Sequence, residues 1–177
     1  KGAAALVLDK RVALKSLIMG GGHENGLRAG TENVPAIVGF GVAAQLAKAR
    51  SKELGVRLQA MQTVLERGLT KLGATLFGAL APRLPNTSYF SFPGIDGETL
   101  VVELDRQVFG VAAGAACSSG STEPSPVLAA MGIEPELARG AVRVSLGQDN
   151  TAGEVERFLE TGASVAGKMR RMTAMAE

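Results

Sequence analysis

Between Asn86 and Met169 the apolar pattern switches repeatedly between two periods, and this alternation limits the fold more than any other property of the chain. Thr87 to Phe92 alternates residue by residue, which predicts a strand, and Gly94 to Gly97 supplies the turn after it. Glu98 to Leu104 reads as a helix, Val108 to Ala112 as a short strand, Val127 to Met131 as a helix and Ala141 to Leu146 as an alternating strand. Gly153 to Met169 reads as a terminal helix despite its internal glycines. Strands and helices in this order must share one core, so this part is expected to be a compact α+β or α/β unit.

The preceding half is patterned differently. Ala5 to Leu8 is a short apolar run that reads as a buried strand, and it leads into a glycine cluster at Gly20, Gly21 and Gly22 that must be a loop. A helix is expected from Val34, with Pro35 in its first turn and Ile37, Val38, Phe40, Val42 and Leu46 on its apolar face. A second helix is expected over Lys52 to Leu72, where Leu54, Leu58, Met61, Leu65 and Leu69 recur at steps of three or four and Gly73 closes the end. No internal repeat or low-complexity linker interrupts the chain.

Composition narrows the function. The chain has 177 residues, 46% of them apolar but only 4% aromatic and none Trp, so the core is aliphatic. A net charge of +2, with basic residues clustered only at Lys168, Arg170 and Arg171, argues against a nucleic-acid partner. One cysteine forms no internal disulfide, and no apolar stretch is long enough to span a bilayer, so the cytoplasm or an organelle matrix is the default location. The opening KGAAALVLDK has no initiator Met, charged leader or cleavage site, and reads as part of a longer protein.

The single cysteine, Cys117, lies in GVAAGAACSSGSTEP, among small and polar residues that leave a sulfur accessible. The plain alternative is a small buried hydrophobe. A helix start after Thr122 would favour the thiolate and Glu123 would oppose it, so accessibility is better supported than activation. The segment GGGHENGLRAGTEN lacks the spacing of a P-loop or a dinucleotide fingerprint. Its specific part is Arg28, Gly30 and Thr31 ahead of the helix, which would suit an anionic group, while Thr31 or Asn33 would equally serve only to cap that helix. His23 is the sole histidine, so neither a zinc site nor a Ser/His/Asp triad is expected. Arg143, in AVRVSL, is either a surface charge on a strand or a pocket residue that grips a carboxylate bidentately.

Taken together, GGGHENGLRAGTENVPAIVGFG, PNTSYFSFPGIDGETL, AACSSGSTEPSPVLAAMG and AVRVSLG resemble, in order and spacing, motifs of the cysteine desulfurases of the NifS/IscS group. The resemblance implies an α/β chain of the fold type I pyridoxal-phosphate transferases. Residues 1–34 would be the end of the large cofactor-binding domain, 35–80 connecting helices and 81–177 the small C-terminal domain. It also implies a homodimer that converts L-cysteine to L-alanine, holds the sulfur as a persulfide on Cys117, and passes it to an acceptor or scaffold protein for iron-sulfur cluster assembly or thiolation. By the same resemblance Arg143 would clamp the substrate carboxylate, Asn86 would lie close to the substrate, and Thr31 would reach the cofactor phosphate across the dimer.

The sequence departs from that pattern in places. No lysine has the context of the cofactor-bearing one, and Lys1 resembles a lysine a few residues beyond it, so the resemblance implies an upstream half without which this stretch is inactive. Alanines at Ala112, Ala113, Ala115 and Ala116 stand where serines are usual, and Pro126 where a histidine is common. A selenocysteine lyase or another class V enzyme is the nearest alternative, and a non-catalytic interaction module is the alternative for a naturally short chain.

Overall fold

The computed structural model describes residues 2–114 and 125–175, which fall into two compact units, Lys1–Lys52 and Glu53–Glu177.

In the first unit the Ala5–Leu8 run is not a strand: it has no regular structure, and Leu6 and Val7 are 72% and 93% exposed. An apolar run of this length becomes a strand only beside a neighbour that satisfies its backbone, and no strand pairs with it among the described residues. The glycine-rich stretch is a loop containing a single turn of 3-10 helix, His23–Gly26, with Glu24 and Asn25 at φ of 52° and 57°. It ends at α1 (Val34–Lys71), whose first turn is capped by Asn33: the Asn33 Oδ1 accepts from the Ala36 amide at 3.2 Å.

The sequence pattern divides α1 into two helices, whereas the structure has one of 38 residues. Nothing between Ala47 and Glu53 breaks it, since the stretch has no proline or glycine and the Ser51 hydroxyl donates back to the Lys48 carbonyl at 3.0 Å without opening the turn. It stops where expected. Gly73, at φ +85°, lets the Ala74 amide return to the Leu69 carbonyl at 3.0 Å.

The second unit is built on a four-stranded antiparallel sheet. Its strands are β1 (Thr75–Leu76), β2 (Thr87–Ser91), β3 (Ala112–Ala113) and β4 (Ala141–Ser145), in the spatial order β1-β2-β4-β3. The helices are α2 (Gly97–Asp105), α3 (Pro126–Ala130), α4 (Pro135–Arg139) and α5 (Ala152–Ala174). On one face Phe90, Val142 and Val144 meet Leu58, Leu65 and Leu69 of α1, Leu100 and Leu104 of α2, and Val155, Phe158 and Val165 of α5. On the other face Tyr89 and Ala141 pack with Phe77, with Leu128 of α3, and with Leu137 and Ala138 of α4.

Two helix starts carry their own signals. Asp96 accepts from both the amide and the hydroxyl of Thr99, at 2.8 and 2.7 Å, to begin α2. Thr151 and Glu154 cap α5 reciprocally: the Glu154 amide donates to the Thr151 hydroxyl at 3.3 Å, and the Thr151 amide to the Glu154 carboxylate at 2.8 Å.

The strand expected over Val108–Ala112 shrinks to β3. The chain must first reverse after α2, and it does so with Val108 at φ +68°, a conformation that branched residues rarely adopt. The reversal seats Phe109 edge-on against Phe158, with ring centroids 5.4 Å apart. Among the described residues no helix is long and apolar enough to cross a membrane.

Candidate functional site

In a strand of period two, flanking valines that point into a core leave the residue between them on the opposite side. Val142 and Val144 are buried in the main core, so Arg143 emerges on the other face of β4, where it is exposed. Register then sets its neighbours. Arg143 lies opposite Tyr89 of β2 on one side and opposite Ala112 of β3 on the other. Antiparallel partners of this kind keep their side chains about 5 Å apart on a shared face. Among the described residues no carboxylate pairs with the Arg143 guanidinium.

The environment of Tyr89 is well defined. Its ring packs edge-on against Phe77, with centroids 5.3 Å apart. Burial pushes the phenol above its ordinary value, and a hydrogen bond from Ser125 and the nearby Arg143 charge only partly offset that rise. A neutral hydroxyl and a permanent cation therefore share this face across the neutral range.

Asn86 stands at the end of the same ladder. Its carbonyl accepts from the Leu146 amide at 2.7 Å and its side-chain amide donates to the Leu146 carbonyl at 3.4 Å, which ties the entry of β2 to the exit of β4. Asn86 thus immediately precedes β2, while Arg143 lies within the neighbouring strand β4. The approach to Asn86 is held by Glu66 of α1, whose carboxylate receives both terminal nitrogens of Arg83, at 2.5 and 2.7 Å, and the Ser88 hydroxyl at 2.8 Å. Burial alone would raise the Glu66 carboxyl, but the Arg83 and Ser88 bonds together outweigh it and hold the group below its usual range.

Thr31 belongs to the other unit. It is exposed, and the capping role falls to Asn33. The loop around it is fixed by Arg28, which donates to the carbonyls of Gly30 and Ala29 at 2.8 and 3.3 Å, and by the contact of His23 Nδ1 with Glu32 Oε1 at 2.7 Å. That contact is also the chief reason the half-buried Glu32 carboxyl is held low. Arg28 is thus engaged with the loop itself, and the Thr31 hydroxyl is the exposed donor.

Cys117 lies outside the described residues, as do Lys1 and the rest of 115–124. What the structure places is the point of departure: Ala112 is in register with Arg143, five residues before Cys117, and Gly114 donates its amide to the Ala141 carbonyl at 2.7 Å. Sequence reasoning singled out Arg143 and Asn86 as candidates but not Tyr89. The alternation of TSYFS could have placed Tyr89 on the outer face, but its partnership with Arg143 depends on a pairing 54 residues apart.

Comparison with known proteins gives a consistent result. The profile of the aminotransferase class-V family matches residues 10–158. The chain is 42% identical over 175 residues to a cysteine desulfurase of Gluconacetobacter diazotrophicus, covering 98% of this chain and 44% of that protein. It is 40% identical over 176 residues to the cysteine desulfurase IscS of Methanosarcina thermophila, covering 99% and 44% respectively. The chain therefore spans a little under half the length of these relatives.

Among solved structures, a NifS-like protein superposes with a TM-score of 0.76 at 37% identity, over 89% of this chain and 40% of its own. A NifS-like protein from Rickettsia africae gives 0.75 at 30% identity, over 88% and 41%. The fold is the one these neighbours share, the C-terminal part of a fold type I transferase. With the profile running from the glycine-rich loop through β4 into α5, the chain belongs to the aminotransferase class-V family.

Proposed function

We propose that the protein containing this chain is a cysteine desulfurase. The observation that carries the reading is the register of β3 on β4, which starts the Cys117 segment beside an arginine that has no carboxylate partner among the described residues. A guanidinium in that position suits the carboxylate of an amino-acid substrate, held through two parallel N–H bonds. Five residues of chain from Ala112 reach at most about 17 Å, so a thiol at Cys117 is tethered within range of a substrate held by Arg143.

The donor set fits part of a pyridoxal-phosphate site. The Thr31 hydroxyl would serve the phosphate from the second subunit of a homodimer, while the lysine that carries the cofactor would lie outside this chain. When bound, pyridoxal 5'-phosphate supplies the electron sink that such a reaction needs. Arg143 fixes the carboxylate end of L-cysteine and Asn86 borders the substrate. The Cys117 thiolate attacks the substrate sulfur, and the carbon–sulfur bond breaks with its electron pair left on carbon. Protonation there gives L-alanine, and Cys117 keeps the sulfur as a persulfide. The persulfide sulfur then passes to an acceptor protein, in iron-sulfur cluster assembly or thiolation.

The test uses the full-length protein with L-cysteine, following alanine and sulfide together. Cys117→Ser is expected to abolish both. Arg143→Ala is expected to lower kcat/KM about 10²-fold, mainly through KM, as loss of a charge-assisted pair does. If Cys117→Ser still forms alanine at the wild-type rate, the protein is a class V enzyme of another specificity, such as a selenocysteine lyase.

A further inference from the structure

Arg83 to Ser88 carry the chain into β2, and two side chains of α1 hold this stretch in nested pairs. The Glu66 carboxylate accepts from the outer pair, the Arg83 guanidinium and the Ser88 hydroxyl. The Gln62 side-chain amide donates to the inner pair, the Leu84 carbonyl at 3.2 Å and the Thr87 carbonyl at 2.6 Å. At the apex is the turn of Pro85 and Asn86. Gln62 and Glu66 stand one helical turn apart, so both groups come from one face of α1. Apolar packing does not hold the stretch, since the Leu84 side chain is exposed. Gln62 is instead only 2% exposed, and a buried amide is costly unless its polar atoms are used. Both of its donors go to carbonyls flanking Asn86, and its Oε1 accepts from Gln59 at 3.1 Å. A leucine there would fill the core without that cost, so the amide serves to fix one conformation of the turn. That conformation sets Asn86, whose carbonyl and side-chain amide both meet Leu146 beyond β4.

We propose that Gln62 is a positioning residue for substrate binding, which holds Asn86 at the border of the substrate site. The proposal rests on the desulfurase reading, in which Asn86 lies beside the L-cysteine gripped by Arg143. Gln62 touches neither substrate nor cofactor in this role, and the Glu66 fork supports the same turn from outside. A contact made equally with the bound substrate and the transition state is felt in KM and spares kcat, so a loosened Asn86 is read in KM.

The experiment compares wild type, Gln62→Met, Asn86→Ala and the double variant in the full-length protein, by steady-state alanine formation from L-cysteine and by amide hydrogen exchange. Methionine suits both a helix and a core, and it removes both N–H donors. Each single variant is expected to raise KM about fivefold, with kcat within about twofold of wild type. The double variant is expected to match Asn86→Ala in KM within about twofold, because a residue that acts through Asn86 has nothing left to act on. Exchange at the Leu146 amide, which donates to the Asn86 carbonyl, is expected to rise about tenfold in Gln62→Met with α5 unchanged. KM effects that multiply in the double variant, or a wild-type KM in either single variant, would overturn the positioning role. Unchanged exchange at Leu146 would overturn the hold on Asn86 itself. Absence of alanine formation by the wild-type protein would sink the desulfurase reading and the role in binding with it, and Leu146 exchange would then judge the hold alone. A loss of protection throughout β2 and β4 in Gln62→Met would show a folding defect. In that event Ser88→Ala, which frees one member of the outer pair and leaves the Gln62 amide in place, decides between the same outcomes in its own cycle with Asn86→Ala.

Discussion

At single positions the second unit has no room for a methyl group. Gly140 lies between α4 and β4, where an added Cβ would stand 2.4 Å from the Ser91 hydroxyl and 2.6 Å from the Ile95 carbonyl. The second of these is backbone and cannot step aside, and Ser91 is fully buried with no hydrogen-bond partner among the described residues. Gly140→Ala is therefore expected to cost about 3 kcal/mol, the upper end for overpacking, because main chain must move. Gly55, inside α1, is the contrast, since nothing lies within 4 Å of its added Cβ. Gly55→Ala should stabilise the helix by about 0.5–1 kcal/mol through the ordinary helix preference of alanine. Denaturant midpoints of the two variants should move in opposite directions from wild type, and a Gly140→Ala midpoint equal to wild type would refute the close packing described here.

At the scale of elements, α1 is fastened to β2 by Glu66, which collects Arg83 and the Ser88 hydroxyl, and beside it by Gln62, whose amide donates to the Thr87 carbonyl at 2.6 Å. The Glu66 carboxyl titrates below its usual value of 4.5 in the folded chain, so its contribution is complete above that value and lost as the pH falls through the folded one. Glu66→Gln should cost about 1–2 kcal/mol at pH 7, and the gap to wild type should narrow as the pH falls below the ordinary carboxyl value of 4.5. Urea unfolding at pH 7 and pH 3 checks this, and a gap as wide at pH 3 as at pH 7 would show that shape rather than charge holds the junction. Elements with a long, one-sided pattern were legible before the fold was seen: β2, β4, α2 and α5 lie within a few residues of their expected bounds. Two-residue strands such as β1 have no alternation to read, and α4 is a single turn opened by Pro135. The helix break expected near Lys52 failed because a change of apolar face is not a stop signal. Arg143 was legible from its flanking valines, but the register that sets it opposite Tyr89 and Ala112 is a property of the assembled sheet.

Across the whole molecule, burial is unevenly shared. None of the described residues up to Lys52 is buried, whereas the core of Leu58, Leu65, Phe90, Leu100, Val142 and Phe158 lies wholly in the second unit. Opening free energy follows buried apolar contacts, so backbone in the first unit should open at little cost and backbone in the second only near global unfolding. Trypsin makes a clean probe of this, because segment 115–124 contains no lysine or arginine and will not confuse the pattern. On this chain alone, early cuts are expected at Lys10, Arg11, Lys15 and Arg28, all in non-helical chain. Arg57 should resist, since its guanidinium donates to the Asn150 carbonyl at 2.9 Å and to that of Gln148, which anchors the middle of α1 to the turn before α5. Arg83 should resist as well, bound in a fork to Glu66. The surviving fragment is therefore expected to begin at Ala29 and to retain α1 and the whole sheet, as mass spectrometry would read it. Cuts at Arg57 or Arg83 as early as those at Lys15 would mean that the apolar cluster of the second unit does not set the stability of the chain.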